Sequence, residues 1–135
     1  MSYLAVWVHA VWSTKRREPY LSDKIRKRVF DHIAIQCRSK GIRIDRVNGY
    51  VDHVHFLFSL RPQQSVARIM NQVKGESSRW INQHKLTPKP FAWQNDYYAC
   101  SVSERNLNRV RDYLDHQEEH HRPQPYYVEK SKILP

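Results

Sequence analysis

The stretch Val51-Asp52-His53-Val54-His55-Phe56-Leu57-Phe58-Ser59-Leu60 constrains this chain more than any other. At a period of two, Val54, Phe56, Phe58 and Leu60 fall on one side, and His53, His55, Leu57 and Ser59 on the other. This alternation predicts a strand with one face in a core. The opposite face presents two imidazoles that point the same way, so a single ion or phosphate can meet both. A bare His-x-His is weak evidence for a metal, because two nitrogens are only half of a site. A third donor and a reactive group are needed.

Candidates for both lie in Arg111-Asp112-Tyr113-Leu114-Asp115-His116-Gln117-Glu118-Glu119-His120-His121. Leu107, Val110 and Leu114 recur at helical spacing and Ser101 or Ser103 is placed to cap the start, which predicts an amphipathic helix. Tyr113 and Gln117 are then i and i+4, about 40° apart around the axis and one turn apart along it. A phenol and a carboxamide would face the same spot, on the border of the apolar stripe. Taken alone, the pair reads as a packing tyrosine and a solvated glutamine.

Taken with the histidines, it resembles a known family: the single-tyrosine HUH transposases, IS200-like enzymes of bacterial and archaeal insertion sequences that move as single-stranded DNA. The resemblance rests on several segments in the family's order. They are Val11-Trp12-Ser13-Thr14-Lys15, Asp52-His53-Val54-His55, Lys74-Gly75-Glu76-Ser77-Ser78-Arg79-Trp80, Trp93-Gln94, Ser101-Val102-Ser103 and Tyr113 to His121. It implies that His53 and His55 are metal ligands, that Gln117 completes the protein ligand set, and that Tyr113 is the nucleophile. It implies magnesium or manganese as cofactor and single-stranded DNA with hairpin-bearing ends as partner. It also implies a homodimer in which the tyrosine helix commonly serves the partner's histidines. One departure is Asp96-Tyr97-Tyr98-Ala99-Cys100, where the family often has Gly-Tyr-Gly-Ala-Phe.

The length, 135 residues, suits one domain over 1–135 with a single core. Lys and Arg exceed Asp and Glu by 23 to 13, a net charge of +10 that favours a polyanionic partner. Nucleic acid is preferred to membrane, since no apolar run approaches the roughly 20 residues that span a bilayer and no signal peptide is visible. Cys37 and Cys100 are too few for a disulfide framework, so a cytoplasmic protein is expected. The basic run Lys15-Arg16-Arg17, with Lys74 and Arg79, supplies the candidate phosphate contacts.

Leu4 to Trp12 reads as a central strand, apolar on both faces. Ser22 is placed to cap a helix with Ile25, Val29, Phe30, Ile33 and Cys37 on one stripe, ending at Gly41. Ile42 to Tyr50 pairs as a hairpin with the histidine strand. Ser65 caps a second helix through Val66, Ile69, Met70, Val73, Ser77, Trp80 and Ile81, and Phe91 to Ser101 supplies a fourth strand. The order strand, helix, strand, strand, helix, strand, helix predicts an α+β, ferredoxin-like split βαβ sheet with an additional C-terminal helix. The first two helices should cover Val54, Phe56 and Phe58, leaving the histidines to the last. A zinc-protease reading of His116 and His120 fails, because Gln117 stands where that motif places glutamate. A two-histidine phosphodiesterase would need a second His-x-Ser/Thr, which is absent. The strongest rival is a non-catalytic, RRM-like nucleic-acid-binding module of the same topology, although base stacking would not require the histidines. A host-retained relative that processes repeated hairpins would carry the same residues.

Overall fold

The computed structural model describes residues 4–117. Glu118, Glu119, His120 and His121, part of the motif quoted for the C-terminal helix, lie outside the described residues. Along the chain come β1 (Trp7–Ser13), α1 (Arg26–Ser39), β2 (Arg43–Tyr50), β3 (His53–Ser59), α2 (Val66–Gln83), β4 (Tyr98–Val102) and α3 (Leu107–Asp115), with 3-10 turns at Lys15–Arg17 and Glu104–Asn106. The strands form one sheet in the order β2-β3-β1-β4, every neighbouring pair antiparallel. Two β-α-β crossovers interleaved in this way are the ferredoxin-like α+β arrangement that the element order predicts. Among the described residues no helix is long and apolar enough to cross a membrane.

β3 lies centrally and is buried along its whole length. Its Val54, Phe56 and Phe58 pack with Val8, Ala10 and Trp12 of β1 under α1 and α2, which contribute Val29, Phe30, Ile33, Ile69, Met70 and Ile81. On the other face Leu57 meets Leu107, Val110 and Leu114 of α3. One sheet therefore separates two apolar clusters of unequal size, and the histidines share the face of the smaller one.

The hairpin expected between the second and third strands is present. Tyr50 pairs with His53, so only Val51 and Asp52 connect β2 to β3. Gly49 pairs with Val54, and a Cβ there would strike the backbone carbonyl of His53. The register slips between Ile44 and Arg46, making Asp45 the extra residue of a bulge that bends the strand. Ser65 caps α2 as expected, accepting from the Arg68 amide at 3.2 Å. Gly41, with φ of +75°, ends α1 in the left-handed conformation that favours glycine.

Several expected boundaries shift, β1 beginning at Trp7 rather than Leu4. α1 begins at Arg26 rather than directly after Ser22: the Ser22 carbonyl, not its hydroxyl, accepts from the amides of Ile25 and Arg26, forming a turn before the helix. No side-chain cap bond from Ser103 forms at the start of the C-terminal helical segment. β4 begins at Tyr98 rather than Phe91. The buried rings of Phe91 and Trp93 join the larger core, and the backbone between them is held by other groups. Asn82 bonds both the amide and the carbonyl of Phe91, and Trp93 makes only an isolated bridge to Thr14.

Candidate active site

His53 and His55 project from β3 beneath α3, and both are 0% exposed. Their rings stand 5.1 Å apart at 79°. Each is held through Nδ1. His53 Nδ1 lies 2.8 Å from Asp52 Oδ1, and Asp52 Oδ2 also accepts from Arg17 Nε and Nη2 at 3.1 and 3.0 Å. Burial pushes the Asp52 carboxyl up, but the hydrogen bond to His53, together with the guanidinium of Arg17, outweighs it and holds the carboxyl below its usual range. His55 Nδ1 lies 2.9 Å from Nε2 of His9, a buried residue of β1. With Nδ1 so engaged in both rings, a metal would meet Nε2 of each. This is the arrangement that outer-shell partners impose on ligating histidines.

α3 brings Tyr113 to this pair. Its ring centroid lies 6.1 Å from that of His55, at 74°. Gln117, one turn further on, is buried, and its amide nitrogen donates to the Tyr113 carbonyl at 3.2 Å. Polar tethers fix the helix to the bulged strand. Arg111 grips both oxygens of Asp45 at 2.8 and 3.0 Å, Arg46 reaches Asp115 at 2.9 Å, and Asn48 Nδ2 donates to the Leu114 carbonyl at 2.7 Å. The bulge thus supplies the carboxylate that anchors the tyrosine helix. Among the described residues no three His, Cys, Asp or Glu side chains group as a ready metal site. The protein donors here are two imidazoles and, in the expected set, one amide, a combination that suits a divalent ion with positions left for oxygen ligands.

The basic candidates are not all alike. Lys15 and Arg16 are exposed in the 3-10 turn, while Arg17 turns back onto Asp52. The Lys74 ammonium is wrapped by the carbonyls of Gln94, Asn95 and Asp96 at 2.7, 3.0 and 3.2 Å and lies 5.9 Å from the Tyr97 ring. Burial lowers its pKa, against the charge of Asp96. Arg79 is exposed on α2, in the layer opposite the histidines. The turn and the Lys74 loop are neighbours, since the Arg16 amide donates to the Gln94 side chain at 3.1 Å.

Sequence reasoning missed His9, Asp45 and Asn48. The one available signal was His9 as the single imidazole inside an otherwise apolar central strand.

A four-stranded ferredoxin-like sheet with a buried histidine pair, closed by a helix that lays a tyrosine beside it, defines a small α+β domain with a histidine–tyrosine centre. The family model described as "Transposase IS200 like" matches residues 2–117, so the chain belongs to the IS200-like transposases. The transposase for insertion sequence element IS200 of Salmonella typhimurium is 30% identical over 116 residues, covering 81% of this chain and 74% of that one. The ISDra2 transposase TnpA of Deinococcus radiodurans is 25% identical over 114 residues, covering 81% of both. The fold matches the crystal structure of a Deinococcus radiodurans protein described as a transposase, with a TM-score of 0.68 and 24% identity over 87% of this chain and 95% of that one. It also matches a REP-associated tyrosine transposase bound to a REP hairpin, with a TM-score of 0.65 and 16% identity over 90% and 72%.

Proposed function

We propose that this chain cuts and rejoins single-stranded DNA by transesterification, with Tyr113 as nucleophile and His53, His55 and Gln117 as the protein ligands of magnesium or manganese. The observation that carries this reading is the Tyr113 ring lying against His55, in a pair of imidazoles both tied down at Nδ1. A divalent ion so bound would polarise the scissile phosphate and stabilise the charge that builds on it. The phenol of Tyr113, with a reference pKa of about 10, gives up its proton as its oxygen bonds to phosphorus. The bond from phosphorus to the 3′ oxygen breaks, and that oxygen leaves as a 3′-hydroxyl. The product is a 5′-phosphotyrosine. Because the linkage keeps the phosphodiester's energy, a 3′-hydroxyl can attack it, break the bond to Tyr113 and restore the phenol without ATP.

Hairpin-bearing ends are the proposed substrate, in keeping with the hairpin bound by the structural neighbour. A homodimer is the proposed working unit, because exchanging two ends calls for two sites held together. The covering of the histidine face by α3 supports catalysis over a non-catalytic, RRM-like module, since a stacking platform needs that face open. Tyr113→Phe should form no covalent adduct with single-stranded DNA and manganese on a denaturing gel, while DNA affinity stays within about threefold, because only one hydroxyl is removed. An adduct at normal yield from this variant would falsify the role of Tyr113.

A further inference from the structure

We propose that His9 is a positioning residue for His55: its Nε2 accepts a hydrogen bond from the Nδ1–H of His55 and so holds His55 in the tautomer whose Nε2 lone pair faces the metal. This deepens the proposed function and rests on His55 being a ligand. His9 is 1% exposed on β1, where it pairs directly with Leu57, while His55 pairs with Val11. The two histidines are therefore diagonal neighbours across the strands, close enough for side chains of this length to touch. Their nitrogens are 2.9 Å apart, their planes differ by 9°, and their centroids are 5.1 Å apart. That centroid spacing is about one hydrogen bond plus two ring radii, so the rings lie edge to edge in nearly one plane. In-plane approach is where an imidazole carries both its N–H and its lone pair.

A neutral imidazole has one donor nitrogen and one acceptor nitrogen. Between His9 and His55 the bond can run in two directions, and only one leaves His55 able to coordinate. If His9 donates, the proton of His55 sits on Nε2, where it blocks a metal. If His9 accepts, the proton sits on Nδ1 and Nε2 presents its lone pair. His53 receives the same service from a carboxylate, which can only accept when ionised. The two ligands are thus prepared by different chemistry, His53 by a charged acceptor near the surface and His55 by a neutral one inside the sheet.

The test uses the full chain, metal-free and labelled with nitrogen-15, near pH 8, where imidazoles of ordinary pKa are neutral. Long-range proton–nitrogen spectra report the tautomer of His55, assigned by the signals lost in His55→Ala. Wild type should show the Nδ1–H form. His9→Gln, whose Oε1 can accept at a similar reach, should keep it. His9→Phe, which fills the space without an acceptor, should shift His55 toward the Nε2–H form. Manganese titration by calorimetry should show affinity about 10–100-fold weaker for His9→Phe and within about threefold of wild type for His9→Gln. An Nε2–H proton on His55 in the wild type, or undiminished manganese affinity in His9→Phe, overturns the proposal. His55→Ala separates the two levels: if it binds manganese as wild type does, the ligand role of His55 falls; if it loses the metal while His9→Phe keeps it, only His9 falls. Should His9→Phe not fold, the wild-type tautomer and its retention in His9→Gln still decide.

Discussion

Asp52 joins groups drawn from separate parts of the chain: Arg17 on one side and His53 on the other, with its own backbone carbonyl accepting from the Thr14 amide at 2.9 Å. An ionised carboxylate at His53 Nδ1 fixes the ring's orientation and tautomer. Asp52→Ala should therefore weaken manganese binding about 10–100-fold in a calorimetric titration, although the residue is not itself in the expected ligand set; affinity equal to wild type would show that His53 needs no such support. The facing of His53 and His55 was legible in the sequence because period-two alternation fixes side-chain direction. The partners of their Nδ1 atoms were legible to different degrees. Asp52 is adjacent in sequence, whereas His9 lies on another strand, and its cross-strand partner cannot be read from its place in an otherwise apolar run. Arg17 and Lys74 show the reverse problem. A sequence displays a positive charge but not its neighbours, here a carboxylate 35 residues away and carbonyls at least 20 residues away.

At the level of elements, the Lys15–Arg17 turn holds its conformation against local preference. Arg16 and Arg17 have φ of 56° and 55°, in the left-handed region that side chains with a Cβ disfavour by about 1–2 kcal/mol per residue. Surrounding bonds compensate: the Thr14 hydroxyl donates to the Glu18 carbonyl at 2.6 Å, the Lys15 amide to the Ala92 carbonyl at 3.0 Å, and the Arg16 amide to the Gln94 side chain. Arg16→Gly should accordingly be more stable than Arg16→Ala by about 1 kcal/mol in urea denaturation, since both lose the charge and only glycine relieves the strain. Equal stability would mean the turn relaxes on losing its side chain. The same stapling explains why β4 starts late. The period-two placing of Phe91, Trp93 and Tyr97 imitates a strand, but the backbone there is bonded to the side chains of Asn82 and Lys74. Element order, hairpin and helix faces were readable because they follow from periodicity. A segment organised by side chains from elsewhere leaves no periodic trace.

For the whole molecule, the net charge of +10 means that the proposed binding to single strands should be driven by counterion release. Affinity should fall with salt at a logarithmic slope of about −0.7 per phosphate neutralised. Lys15→Glu with Arg16→Glu should make that slope shallower, whereas affinity indifferent to salt would remove the basic surface from the interface. The geometry within one chain also bears on assembly, because α3 sits on its own sheet through Asp45, Arg46 and Asn48. With that docking kept in a dimer, mixing Tyr113→Phe subunits with His53→Ala/His55→Ala subunits should restore no cleavage, once subunit exchange is verified with differently tagged chains. Recovered cleavage would show the helix exchanged between partners. The unequal division of the apolar clusters has a further consequence, for durability. The fold is secured on the α1/α2 side of the sheet, while the tyrosine helix packs its Leu107, Val110 and Leu114 on Leu57, Trp7 and Val102 and adds a few polar tethers. A short element on the smaller of the two clusters should open at a lower free energy than the domain unfolds. With Tyr113 in its proposed role, competence for chemistry and integrity of the fold become separable properties of this chain, and mild heat or denaturant should silence the first while the second persists.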